Sequence, residues 1–137
     1  MKIVVDSNII ISALIRDSIT RKIIIQCDDI LLSPEIIIAE TKKHINMISQ
    51  KSGLSPENIE NTFNILIKYI HLIPYNEIED FIPEARKIME KIDPTDTIFI
   101  AAALSKNAAI WSNDEDFQKQ DKVRIFTTEN MMKRVLK

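Results

Sequence analysis

At 137 residues, 45% of them hydrophobic and 28% charged, the chain has the size and balance of one soluble domain with a real core, which excludes a disordered protein. No apolar run approaches the roughly 20 residues of a membrane span, and Met1-Lys2 leads straight into an apolar strand with no signal-peptide pattern, so a cytoplasmic protein is expected. A net charge of -2 argues against tight sequence-independent binding of nucleic acid, and the lone Cys27 excludes an internal disulfide and a cysteine zinc site.

Lys2–Val5 reads as a short buried strand, followed by an Asp6-Ser7-Asn8 turn and an apolar helix from Asn8 to about Ile15. After a polar break at Arg16–Thr20, a second helix covers Arg21–Cys27 and a second strand Ile30–Leu32. Ser33-Pro34 has the form of an N-cap with proline at the first helical position, which predicts a third helix from there to about Ser49. The only glycine, Gly53, lies in the link to Ser55-Pro56-Glu57, which repeats the same start signal for a helix to about Lys68. These two helices are expected to form an antiparallel hairpin. Tyr69–Ile73 reads as a third strand and Tyr75–Lys91 as helix with a bend or restart at Pro83. Asp93-Pro94-Thr95 is a turn that caps a helix from Asp96 to about Lys106, with almost no polar side. Ala109–Trp111 and Val123–Phe126 read as two more strands, and a last helix runs from about Thr128 to Leu136. This alternation predicts a single domain over residues 1–137, a three-layer α/β/α sandwich with a central parallel sheet.

Four acids far apart in the chain, Asp6, Glu40, Asp96 and Asp114, each sit where an apolar strand ends or a helix begins. In open α/β sheets ligands bind beyond the carboxyl ends of the strands, so these carboxylates can converge on one metal. Hard divalent ions held by oxygens suit phosphodiester hydrolysis, and Mg2+ or Mn2+ fits a shallow acidic cluster open to substrate. Asp6 would be the central ligand, Asp96 and Asp114 would close the cluster, and Glu40 would bind through water or orient the attacking water. Simpler accounts compete at each position. Asp6 could only cap its helix, Asp96 could only complement a helix dipole, and Glu40 could pair with Lys43 and His44 along one helix face. Asp114 has a rival in Asp116, Asp93 could merely shape its turn, and Asn8, Ser7 and Ser112 are auxiliaries that turn chemistry explains equally well. Trp111 sits inside a strand pattern and reads as core.

The segments Ile3-Val4-Val5-Asp6-Ser7-Asn8, Ser33 to Glu40, Asp93 to Leu104 and Trp111 to Phe117 resemble the four signature segments of the PIN domain, a family of metal-dependent ribonucleases. They occur in the family's order and span nearly the whole chain. The resemblance implies the three-layer fold, a Mg2+- or Mn2+-dependent endoribonuclease activity and a single-stranded RNA substrate. It places the first acid after Ser112-Asn113 in the site, which favours Asp114 over Asp116, and it keeps Asp93 as an auxiliary. Small members of the family include VapC-like toxins of toxin-antitoxin modules, so a small antitoxin protein is a candidate partner, and a homodimer is left open. Two other readings stand beside it: a non-catalytic interaction module that keeps the fold, and a phosphoacceptor signalling domain. The second has paired acids after its first strand and a lysine after its last, whereas here Asp6 stands alone and Phe126 leads into Thr127-Thr128.

Overall fold

Five short strands, β1 (Lys2–Val5), β2 (Ile30–Pro34), β3 (Ile70–Ile73), β4 (Ala109–Trp111) and β5 (Ile125–Phe126), make one sheet in the order β3-β2-β1-β4-β5. Every pairing is parallel, with Ile3 opposite Leu31 on one side and Ala109 on the other. The computed structural model describes residues 1–15 and 18–136. Parallel strands need crossover connections, and here these are helical, which leaves both faces of the sheet covered. Alternate residues of β1 serve opposite cores: Ile3 and Val5 pack on one side, Val4 on the other.

The first core joins Ile3 and Val5 to α1 (Ser7–Leu14), α2 (Ile19–Gln26), α5 (Pro56–Leu66) and α9 (Thr128–Val135), with Ile37 of α3 (Ile37–Lys43) and Ile48 of α4 (Ile45–Ser52). The second joins Val4, Leu32 and Ile110 to α6 (Tyr75–Ile78), α7 (Ile82–Met89) and α8 (Thr97–Lys106). Helix α8 lies between the sheet and α7, and its residues Phe99, Ile100 and the alanines 101–103 are all buried, which fits its lack of a polar side. Trp111 is fully buried in the first core, its indole N–H donating to Thr128 Oγ1 at 3.1 Å.

Several expected boundaries move, for identifiable reasons. Ser33 and Pro34 do not open a helix. They close β2, pairing with Leu72 and Ile73, and the Ser33 hydroxyl donates to the Val5 carbonyl at 2.9 Å. Proline is tolerated there because the Glu35 N–H donates to Ile73, so position 34 faces β1, whose pairing with β2 has already ended at Val4–Leu32. Helix α3 therefore begins at Ile37, and His44 separates it from α4, where a single helix to Ser49 was expected. Gly53, at φ 74°, ends α4 in the left-handed conformation that favours glycine. By contrast Ser55 is a true cap, its Oγ accepting the Asn58 N–H ahead of Pro56 in α5.

Tyr75–Lys91 resolves into α6, a 3-10 turn at Glu79–Phe81 and α7, with Pro83 in the first turn of α7 where its missing donor costs nothing. Only Ile125 and Phe126 of the fifth predicted strand pair, because the Gln120 side chain holds both the N–H and the carbonyl of Val123. Helix α2 begins at Ile19, capped by Ser18, earlier than expected. Of the polar break before it, Arg16 and Asp17 lie outside the described residues. Cys27 is half-buried at the end of α2, its Sγ 3.7 Å from Asp29 Oδ2. No helix among the described residues is long and apolar enough to cross a membrane.

Candidate active site

The chain leaves β1 for β2 on one side of the sheet and reaches β4 on the other, so the strand order reverses between β1 and β4. A crevice opens at the carboxyl ends of strands where such a reversal occurs. Asp6 follows β1 and Ser112 follows β4, and the two meet there because the Asp6 N–H donates to the Trp111 carbonyl at 3.3 Å. A cleft of about 370 Å³ lies at this edge, lined by Asp6, Asn8, Glu40, Thr95 and Asp96 with Ile36, Ile98 and Phe99 as apolar wall. Among the described residues, no lysine or arginine lines it.

Asp6 is 4% exposed and does two jobs. Its Oδ1 accepts the Ile9 N–H at 2.9 Å, which caps α1, so the simple capping role is real. It is also held by the Ser112 side chain. Burial nonetheless pushes its carboxyl above the ordinary value, a rise that the Ser112 and Ile9 hydrogen bonds oppose and the nearby Asp114 charge adds to. Glu40 stands half-buried in the first turn of α3 and reaches the cleft, and among the described residues it makes no ion pair with Lys43 or His44.

Asp96 closes the 3-10 turn Pro94–Asp96 immediately before α8. Its carboxyl is pushed up to about 7, first by burial and then by the charges of Asp93, Asp114, Asp6 and Asp116. Its Oδ2 is buried without a hydrogen-bond partner among the described residues. Asp93 is the opposite case. Its Oδ1 accepts both the Thr95 hydroxyl, at 2.7 Å, and the Thr95 N–H, at 3.0 Å, which lowers its pKa. A carboxylate so held stays charged beside Asp96 and contributes most to the repulsion there.

Asp114 does not line the cleft. It caps the 3-10 turn Glu115–Lys119, its Oδ1 accepting the Asp116 N–H at 2.9 Å while its own N–H donates to Ser112 Oγ at 3.0 Å. Its charge acts on both Asp6 and Asp96. The tightest grouping is instead Asp93, Asp96 and Asp116, which offer one oxygen each within 4.8 Å of one another. Thus Asp116 and Asp93, read from the sequence as a rival and an auxiliary, group with Asp96, although the charges of Asp114 and Asp6 act on Asp96 more strongly than that of Asp116. Thr95 and Lys119 were missed. The signal for Thr95 was the Asp-Pro-Thr turn itself, and for Lys119 its spacing three residues from Asp116, whose Oδ1 it meets at 2.9 Å. The apolar wall of Ile36, Ile98 and Phe99 carried no signal beyond core hydrophobicity.

An all-carboxylate set with one buried oxygen lacking any donor matches the requirement of a hard divalent cation. The same set repels anions when no cation is bound.

Comparison with known proteins places the chain. The family model of the PIN domain matches residues 4–135. Among solved structures, the chain is similar to one in VapBC2 from Rickettsia felis bound to a DNA fragment from its promoter, with 17% identity and a TM-score of 0.72 over 93% of this chain and 98% of that one. It is similar to one in DNA-bound VapBC from Salmonella typhimurium at 15% identity and 0.72, and to one in FitAcB from Neisseria gonorrhoeae at 14% and 0.67, with the same coverage of both chains. At such identities these likenesses show the fold alone. No curated protein matches the chain by sequence.

Proposed function

The chain belongs to the PIN domain family, and from that premise we propose that it is a metal-dependent endoribonuclease that hydrolyses phosphodiester bonds of single-stranded RNA. The observation that carries this reading is the meeting of Asp6, Glu40 and Asp96, from three separate elements, in one cleft that no lysine or arginine among the described residues lines. In this reading Asp6, Asp96 and Asp114 hold Mg2+ or Mn2+, and Asp93 and Asp116 offer oxygens to the same ion or to its waters. Bound there, the ion supplies a water acidified to a nucleophile and positive charge for the reacting phosphate.

The chain's own groups do the rest. Glu40 orients the attacking water and accepts its proton. Asp6 is fixed in position by the Ile9 N–H and Ser112, so it does not reorganise during the reaction. Asn8, exposed at the rim, donates to a phosphate oxygen. The net charge of -2 makes substrate binding weak until the metal reverses the local sign.

The VapBC relatives are complexes, and by extension a small antitoxin protein is the proposed partner here. A single domain acting in the cytoplasm completes the proposal. The rival reading, an interaction module without turnover, is favoured only by the net charge of -2.

Cleavage of a labelled single-stranded RNA separates the two. Mn2+ is expected to support cutting, excess chelator to stop it, and Asp6→Asn to slow it by roughly 100-fold or more, about 3 kcal/mol of transition-state stabilisation. Cutting that survives both chelator and Asp6→Asn, in a preparation free of contaminating nuclease, would sink the mechanism.

A further inference from the structure

A second cleft adjoins the acidic one and shares its walls. It measures about 310 Å³ and is lined by Pro34, Ile36, Ile73, Tyr75, Ile78 and Ile98, with Glu35 at its edge. Ile36 and Ile98 belong to both clefts. Its surface is almost wholly apolar, although it opens directly beside a concentration of carboxylates. Two of its residues stay in solvent that a core would have hidden: Ile36 is 43% exposed and Tyr75 49%.

We propose that this slot is a nucleobase subsite, which holds one unpaired base of the RNA beside the phosphate under attack. The inference rests on the ribonuclease reading of the acidic cleft and names what that site selects. Among the described residues no cation lines the slot, so a phosphate gains nothing there and the occupant is neutral. A chain running out of the acidic cleft past Ile36 and Ile98 delivers a base, flat and apolar on its faces, into the adjoining space. A volume of this size is at the lower end for small-ligand sites, enough for one base and too shallow for a paired one. Tyr75 supplies the stacking surface such subsites use, at low entropic cost. The Glu35 carboxylate accepts the Tyr75 backbone N–H at 3.4 Å, which keeps it at the wall of the slot, where its free lone pairs favour bases with an exocyclic amino group. A duplex cannot place a base there without unpairing it, which makes the slot a reason for single-strand preference.

Fluorescence anisotropy tests this without requiring turnover. The probes are labelled single-stranded decamers of adenosine, cytidine and uridine, and the proteins are the full chain and its Tyr75→Ala and Tyr75→Phe variants, in calcium. Tyr75→Ala is expected to weaken binding about tenfold, the size of one base–aromatic stack, with Tyr75→Phe within about twofold of the parent and uridine bound least well. Equal binding by the parent and Tyr75→Ala, or no binding by the parent, overturns the subsite. If Tyr75→Ala instead sediments at half the mass of the parent, the slot belongs to a second copy of the chain and the proposal is likewise overturned. Binding that follows the predicted pattern without cleavage in Mn2+ would remove the nuclease reading and leave the base subsite standing.

Discussion

Two aspartates at opposite edges of the sheet show how the same side chain can be driven either way. At the edge where the strands begin, Asp29 accepts two hydrogen bonds from Arg134, at 2.7 and 2.9 Å, and lies 3.2 Å from the Met1 amine. These cations hold its carboxyl down at about 2, the Arg134 hydrogen bonds foremost, against the opposing effect of burial. At the edge where the strands end, Asp96 has no such partner among the described residues and four acidic neighbours, and its carboxyl rises to about 7. The first site is electrically complete within the protein. The second is complete only when something positive is added, which is the expected mark of a ligand site and not of a structural ion pair.

The largest effect that sharpens this contrast is metal-linked stability. A cation that binds only the folded state at 100 times its Kd adds about 2.7 kcal/mol, so millimolar Mn2+ should raise the melting temperature by roughly 5–10 °C. Arg134→Ala should leave that rise intact, and Asp96→Asn should blunt it. A melting curve indifferent to Mn2+ would erase the distinction between the two edges.

Next in size is the pH dependence of the metal-free protein. Between 3.8 and about 7 the folded state binds more protons at Asp96 than the unfolded chain does, so this contribution is fully favourable below pH 4 and is lost as pH climbs through 7. We expect roughly 1–2 kcal/mol to disappear over that window, discounted from the full linkage value because Asp96 is only half-buried. Asp96→Asn should flatten the profile and melt higher than the parent near neutral pH. A variant that melts lower, with its metal response unchanged, would mean that Asp96 serves its helix and not an ion.

At the other edge the sign reverses. Asp29 is depressed, so its contribution is present above pH 3.8 and lost as pH falls through about 2. Arg134→Ala should lower stability only modestly near neutral pH, because Arg134 is solvent-accessible and the pair is screened. Chemical denaturation at pH 7 and pH 2.5 checks it: the cost should shrink at the lower pH.

Much of this architecture was legible because the signals were local and repeated. Short apolar runs announced β1, β2, β3 and β4, and an acid at the end of a run announced the crevice. What misled was also local. Ser33-Pro34 and Ser55-Pro56 look alike as helix starts, but pairing with Leu72 and Ile73 draws the first into a strand. Tertiary pairing decides between two identical dipeptides, and no window around Ser33 contains β3. The meeting of Asp6, Glu40 and Asp96 could be anticipated from their places at a strand end and at helix starts. The closeness of Asp116 to Asp96 could not, since it depends on how the turn at Glu115–Lys119 folds back under the Asp114 cap. The apolar slot beside the site was hidden for another reason: in sequence, Ile36 and Ile98 look like any other core isoleucine.

The central claim is that the acidic edge takes up a divalent cation in exchange for a proton. Titration calorimetry of Mn2+ into the metal-free protein, repeated in buffers of different ionisation enthalpy, counts the protons that leave. A carboxyl at about 7 is mostly protonated at pH 6, and a metal ligand must ionise. The account therefore predicts binding that releases close to one proton at pH 6 and almost none at pH 8.5, with the release lost in Asp96→Asn. Binding at pH 6 without proton release, or release that persists in Asp96→Asn, would contradict it.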